Sequence, residues 1–319
     1  MKAAAFSLVV LTLNVSGPRR VQQAWATRRE AIVSRLKAEA SDADAFQEVW
    51  RDSDLDALRL AAGHGHAAAA PALGLAVTSR LPIESSASLD LGGGWGVLRA
   101  RLRSAQGEID VYSTRLEPAE GPASAAKLGR LFRLAEFVRA QSSTRPYVLL
   151  GDLGVASDER APSLLLDLLE ARDLCVSHGD EVCGRTLGAQ RVDYALIPYS
   201  PKTPREYART TLTDLTPDDE DPAPPHFGLL VRLDERFPKR APAAQPPGRD
   251  EALAAIGEAL EGARREAEGR AADPGWTPFL ATWLETAAQD DVTRLTALEE
   301  EVRSARLRGT KPEAPTARE

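Results

Sequence analysis

The chain has 319 residues, 43% of them hydrophobic and 27% charged, enough for one large packed domain or a domain with an appendage. Its 40 basic and 47 acidic side chains leave a net charge of -7, which argues against a broad electrostatic grip on nucleic acid or anionic lipid. Two cysteines cannot staple a fold of this size, and four histidines exclude a histidine-rich metal scaffold.

No apolar run approaches the roughly 20 residues of a membrane-spanning helix. Met1-Lys2 followed by Ala3 to Leu13 superficially resembles a short signal peptide, yet the stretch runs into Asn14 and Gly17-Pro18 without a small-x-small cleavage site. Phe6 to Leu13 is rich in β-branched and large apolar residues and reads as a buried strand. A cytoplasmic location is the expectation, with a secreted or periplasmic one as the alternative.

In chain order, the pattern predicts strands over 6–14, 43–47, 73–79, 95–103, 108–116, 146–152, 191–198 and 227–233. Helices are predicted over 21–39, where Val21, Trp25, Ile32, Val33 and Leu36 recur at helical spacing, and over 123–141 and 161–171. His64 and His66 sit in Ala-Gly-His-Gly-His-Ala, read as a flexible loop and not a metal site. Arg99, Arg101 and Arg103 share one face of a strand, and a solvated sheet face is expected there in preference to a phosphate-facing row. Gln106-Gly107 turns the chain into a hairpin. Many strands with interspersed helices imply an α+β layered sandwich over residues 1–237.

A Pro-rich linker follows at 238–249, where strand and helix are both blocked. Apolar residues then recur at helical spacing in three stripes over 250–309, predicting a helical extension that packs on the sandwich or offers a surface to a protein partner. Residues 310–319 read as a disordered tail.

Four segments place a polar residue at the end of an apolar run, where a sheet presents groups to a cleft. They are Leu-Thr-Leu-Asn14, Asp44-Ala-Phe-Gln-Glu48, Tyr147-Val-Leu-Leu-Gly-Asp152, and the pair Arg191-Val-Asp193-Tyr and Pro225-His226-Phe-Gly. Taken singly, each reads more often as a cap, a turn or a structural histidine than as a site.

Taken in order, these motifs resemble those of the endonuclease/exonuclease/phosphatase (DNase I-like) superfamily, over about residues 6 to 233. Gly74-Leu-Ala-Val-Thr-Ser-Arg-Leu-Pro-Ile83 is similar to that family's strand and Ser-Arg-x-Pro segment, and Val111-Tyr-Ser-Thr-Arg-Leu116 sits where members have Thr-His-Leu. The resemblance implies a four-layer α/β sandwich of two packed, mostly antiparallel sheets flanked by helices. It also implies a metal-dependent phosphoester hydrolase. Glu48 would ligate Mg²⁺ or Mn²⁺, and Asn14 would orient the cation or the phosphate. Asp152 would position or deprotonate water. Asp193 would hold His226 cationic against the phosphate, and Arg115 would contact the phosphate. Lipid, nucleotide and nucleic acid all remain open as the phosphoester substrate.

Three positions depart from the family pattern. Gly154 stands where members have Asn, Arg115 where they have His, and Pro225 where they have Asp. The site is therefore expected to be degenerate, which leaves two readings: a hydrolase of reduced activity, or a pseudoenzyme acting as a binding or scaffold protein. Cys175 and Cys183 flank a polar loop, as a disulfide or as two thiols. A disulfide would call for an oxidising compartment and reopen the secreted alternative.

Overall fold

The computed structural model describes residues 7–18, 23–116, 125–156, 160–177, 180–199, 207–213 and 226–234. The linker, helical extension and tail expected beyond residue 237, and Pro225, lie outside the described residues. The first half of the described chain runs β1 (Ser7–Asn14), α1 (Gln23–Glu39), β2 (Ala43–Gln47), α2 (Asp52–Ala61), β3 (His66–Ala70), β4 (Leu75–Ser79), β5 (Ile83–Gly92), β6 (Trp95–Ser104) and β7 (Gly107–Arg115). The second runs α3 (Ala125–Gln141), β8 (Tyr147–Asp152), α4 (Arg160–Leu169), β9 (Ala171–Asp173), β10 (Val176–Ser177), β11 (Asp180–Glu181), β12 (Asp193–Pro198), β13 (Tyr207–Thr211) and β14 (Gly228–Asp234).

Two six-stranded sheets form, in the orders β13-β14-β1-β2-β4-β3 and β5-β6-β7-β8-β12-β9. Pairing is antiparallel except for β1 with β2 and β7 with β8. Because successive strand residues face opposite ways, each sheet has two apolar faces to cover. Leu8, Val10, Ala43, Ala45 and Val77 of the first sheet meet Leu98, Val111, Val148, Leu150 and Ala195 of the second in one inter-sheet core. On the outer face of the first sheet, Leu11, Leu13 and Phe46 pack against Trp25, Ile32 and Leu36 of α1 and Leu58 of α2. On the outer face of the second, Tyr112, Leu149 and Leu196 pack against Leu134 and Val138 of α3 and Leu165 and Leu169 of α4. Helix, sheet, sheet, helix is the four-layer sandwich that the resemblance implies.

The structure corrects three readings. The strand expected from residue 73 begins at Leu75, because Pro71–Leu73 form a 3₁₀ turn closed by Gly74 at φ 66. The arginine row is not a solvated face. Arg99 is buried beneath the end of α3, donating to Gln141 Oε1 and Ser85 Oγ, each at 3.0 Å, and Arg101 grips Asp110 through two bonds of 2.8 and 3.0 Å. Only Arg103 is exposed.

The histidine loop is not flexible coil. Residues His66–Ala70 form an edge strand against β4, with Ala68 and Ala70 in the inter-sheet core, and His64 is buried ahead of it. Its Nε2 donates to the Ser41 carbonyl at 3.1 Å, leaving Nδ1 to accept from the Thr78 hydroxyl at 2.8 Å. This is a neutral tautomer, consistent with burial lowering the pKa of the ring. Asp44 lies beside it, accepts a hydrogen bond from Ser41 Oγ, and is pushed by burial up to about 7.

The cysteines are bridged. A Cys175–Cys183 disulfide spans 8 residues around the short hairpin of β10 and β11, and both cysteines pack into the inter-sheet core.

Two outcomes follow for stability. A bridge of this span restricts the unfolded chain by about 2–3 kcal/mol on a loop-entropy basis, so the Cys175→Ser/Cys183→Ser variant should lose about that much in urea titrations. A carboxyl whose folded pKa lies above its unfolded value binds its proton more tightly when folded. Asp44 therefore favours folding fully below about pH 4 and loses that contribution as pH rises through 7. Unfolding free energies measured across that window should decline less steeply in Asp44→Asn than in the wild type.

Candidate active site

The same alternation that builds the inter-sheet core delivers polar side chains to one end of it. Leu8 and Val10 face the second sheet, so Thr12 and Asn14 do too. By the same parity Gln47 follows Ala43 and Ala45, Asp152 follows Val148 and Leu150, Ser113 and Arg115 follow Ile109 and Val111, and Asp193 precedes Ala195 and Ile197. Strand registers set Arg115 and Asp193 on either side of Asp152. That β7–β8 approach needs a glycine: a Cβ on Gly151, at φ 135, would stand 2.0 Å from the Thr114 carbonyl oxygen.

Below the cleft, Gln47 of the first sheet donates to Ser113 Oγ of the second at 2.9 Å and to Thr12 Oγ1 at 3.1 Å, while Ser113 donates to the Phe46 carbonyl at 2.8 Å. This polar floor couples the two sheets where the apolar core ends. Beyond β2 the chain turns through Glu48 at φ 61, a left-handed conformation that a residue with a Cβ seldom adopts and that takes this side chain out of the strand's alternation.

Asn14 is the hub. Its Nδ2 donates to Glu48 Oε1 and to Asp152 Oδ2, each at 3.1 Å, and its Oδ1 accepts from the Ser16 amide at 2.9 Å. It therefore orients two carboxylates through its amide N–H groups. Asp152 Oδ1 accepts from the Gly154 amide at 2.8 Å. The departure at Gly154 thus keeps a backbone donor while lacking a side chain, and Lys127 of α3 donates to the Gly154 carbonyl at 2.7 Å.

His226 is set by the Thr186 segment. Thr186 Oγ1 accepts from the Val192 and Asp193 amides, and the Phe227 amide donates to the Thr186 carbonyl at 2.7 Å. His226 Nδ1 consequently donates to Asp193 Oδ2 at 2.9 Å, and its Nε2 faces Asp152 Oδ2 at 3.9 Å. Asp193 Oδ1 is buried and has no hydrogen-bond partner among the described residues. Burial by itself would discharge His226, but Asp193, Asp152 and Glu48 outweigh it and raise the ring to about 9. Burial pushes Asp152 up to about 6, with the cationic His226 opposing that rise. Between these values the site holds an imidazolium beside a carboxylate.

Arg115 closes the other side. Its Nε donates to Glu48 Oε1 at 3.1 Å, and its guanidinium carbon lies 4.2 Å from the Trp95 ring centroid and 5.6 Å from that of Trp50. Asn14, Glu48, Asp152 and Arg115 thus share one hydrogen-bonded cluster, and Asp193 reaches it through His226. Sequence reasoning missed Trp50, Trp95, Lys127, Gln47 and Ser113. Gln47 and Ser113 were open to it through strand parity, whereas the indoles and Lys127 meet the site only through tertiary packing.

The donor set suits a hard divalent cation held largely by water. Among the described residues, no group of three or more His, Cys, Asp and Glu side chains is placed to enclose an ion. Glu48, however, is 24% exposed, and its Oε2 accepts no hydrogen bond from a described residue, so one carboxylate oxygen remains open to the cleft. Mg²⁺ and Mn²⁺ accept such single-carboxylate sites by keeping several waters.

The model of the endonuclease/exonuclease/phosphatase family matches residues 11–216, and the chain belongs to that family, whose named activities all cleave phosphoester bonds. Solved structures share the fold. Sphingomyelinase C from Streptomyces griseocarneus is 16% identical, with a TM-score of 0.53 over 71% of this chain and 99% of its own. The TDP2 of D. rerio, complexed with a single-strand DNA product, is 12% identical, with a TM-score of 0.55 over 71% of this chain and 98% of its own. A doubly substituted beta toxin from Staphylococcus aureus with bound magnesium ions is 11% identical, with a TM-score of 0.54 over 71% of this chain and 99% of its own. A comparison with curated proteins finds no match.

The His226 pair makes a direct prediction. NMR titration of its ring should follow a pKa near 9, and Asp193→Asn should lower it markedly, because the strongest group opposing burial is then removed. The histidine's contribution to stability is complete below about pH 6.5 and is lost as pH rises through 9. A ring titrating at its ordinary value in the wild type would contradict the geometry.

Proposed function

We propose that this chain is a phosphoester hydrolase dependent on Mg²⁺ or Mn²⁺. The observation that carries the reading is the Asp193–His226–Asp152 arrangement, a charged imidazolium held against a buried carboxylate at the polar end of the inter-sheet core. His226 donates from Nε2 to a phosphoryl oxygen and stabilises the charge that grows there. Asp152, held by Asn14 and the Gly154 amide, accepts a proton from the attacking water. Asp193 fixes the histidine tautomer, with Nδ1–H directed at its own carboxylate. Glu48 would hold the cation, which when bound polarises a phosphoryl oxygen as a Lewis acid. Arg115 supplies a second positive group for the phosphate.

Of the solved structures named above, one is a sphingomyelinase and one holds a single-strand DNA product. The net charge of -7 favours a lipid or small phosphoester over an extended polyanion. Among the described residues no helix is long and apolar enough to cross a membrane. The Cys175–Cys183 bridge supports the secreted or periplasmic location over the cytoplasmic one. A second reading, a pseudoenzyme that binds without turnover, is favoured by Arg115 occupying the carboxylate assigned to the cation.

Hydrolysis of bis(p-nitrophenyl) phosphate with Mg²⁺ or Mn²⁺ tests the proposal. Asp152→Ala and His226→Ala should each lower kcat/KM by about 10²–10⁴-fold. Turnover that both substitutions leave intact would overturn the site assignment. A folded protein with no turnover would select the pseudoenzyme.

A further inference from the structure

The most unusual contact in the cleft is that between Arg115 and Glu48. Arg115 ends β7 with its side chain on the inner face, in register with Asp152, so the backbone carries its charge into the site. Once there it is held from several directions. Its Nε donates to Glu48 Oε1 at 3.1 Å, its guanidinium lies over Trp95 and, at a longer distance, Trp50, and the side chain is only 14% exposed. Trp50 is itself seated by Gly74, where a Cβ would come within 2.8 Å of the indole. Trp95 follows the Gly92–Gly94 turn, whose three glycines all have positive φ. The guanidinium therefore has a built seat, with two aromatic rings and one carboxylate as partners.

Glu48 is the carboxylate that the proposed function assigns to the divalent cation. Its Oε1 already accepts from Asn14 and Arg115, while its Oε2 accepts from no described residue. An ion at Oε2 would share a single carboxylate with a guanidinium and lie a few ångström from its fixed positive charge. Arginine keeps that charge at every accessible pH. Unlike a protein-bound water, it cannot be shed to make room, and unlike a histidine it cannot become neutral.

We infer that Arg115 is a built-in competitor of the divalent cation at Glu48, so that the affinity for metal is set by the cost of drawing Glu48 away from the guanidinium. The inference rests on the reading of Glu48 as the metal ligand. It makes Arg115 a determinant of cofactor affinity as well as a phosphate contact.

Mn²⁺ binding to the full chain without substrate, followed by calorimetry and by electron paramagnetic resonance of the free ion, tests this. Arg115→Met keeps the length and the apolar packing on both indoles but removes the charge, and it should bind Mn²⁺ at least about tenfold more tightly than wild type. Arg115→Lys keeps a positive charge and should stay within a few-fold of wild type, which separates charge from loss of packing. Adding Glu48→Gln to Arg115→Met should abolish the tightened binding. Equal Mn²⁺ affinity in wild type and Arg115→Met, tightening that survives Glu48→Gln, or no binding by any variant at millimolar Mn²⁺ would each overturn the inference. Metal-dependent turnover by a wild type whose affinity Arg115→Met leaves unchanged would remove only the competition. Absence of both binding and metal-dependent turnover would remove the metal reading of Glu48 as well.

Discussion

Two apolar sheets packed face to face impose a rule on every strand that crosses the molecule: residues of one parity must be buried between the sheets. Leu8 and Val10, Val148 and Leu150, and Ala195 and Ile197 obey it in the middle of the core. Where the strands run out, the rule still governs side-chain direction, although the requirement for apolar residues has ended. Asn14, Asp152, Asp193 and Arg115 continue the inward series at the strand ends, and they consequently face one another. The site is thus a continuation of the core by polar residues, and its geometry is as stiff as the packing beneath it.

That origin explains the electrostatics. Carboxylates carried inward by strand parity are desolvated, so Asp152 rises and would be neutral at moderate pH without compensation. His226 enters from outside the strands, on a segment pinned through Thr186, and brings the positive charge that opposes the rise of Asp152. The two shifts are one effect seen from either side: each group holds the other in its charged form. Asp44 and His64, near the start of β2, show the other outcome. There the hydrogen bonds run to Ser41 and Thr78, burial prevails, and the carboxyl is pushed to about 7 beside a neutral ring. The two buried pairs differ because Asp193, Asp152 and Glu48 together outweigh burial at His226, whereas burial is the largest influence on Asp44 and His64 despite the nearby charges of Arg80, Asp42 and Glu39.

Departures from the family pattern have unequal consequences. At Gly154 the backbone amide still supports Asp152, so what is lost is a side chain that could have reached substrate. At Arg115 the change is more than a loss, because the guanidinium forms a new bond to Glu48 and a new stack on Trp95. Tryptophan supplies a favourable face for a cation while excluding water, which strengthens the pairing with the carboxylate. A residue that cannot transfer a proton is thereby locked beside the open oxygen of Glu48.

Much of this was legible in the sequence. Apolar alternation marked the principal central strands, and polar residues at their ends marked Asn14, Glu48, Asp152 and Asp193, because a two-residue period survives translation from sequence to sheet. The alanine-rich edge strand at His66–Ala70 and the buried Arg99 escaped, since small residues carry little strand signal and α3 covers Arg99 only after folding. The sequence by itself determined the principal central strands, which way their side chains point, and which residues end them. Tertiary structure alone decided that Asn14 bridges two carboxylates, that Cys175 meets Cys183, that Trp50 and Trp95 frame Arg115, and that Arg115 binds Glu48. Those contacts join residues on different strands and loops, and their distances depend on sheet register and layer packing, which no local pattern encodes.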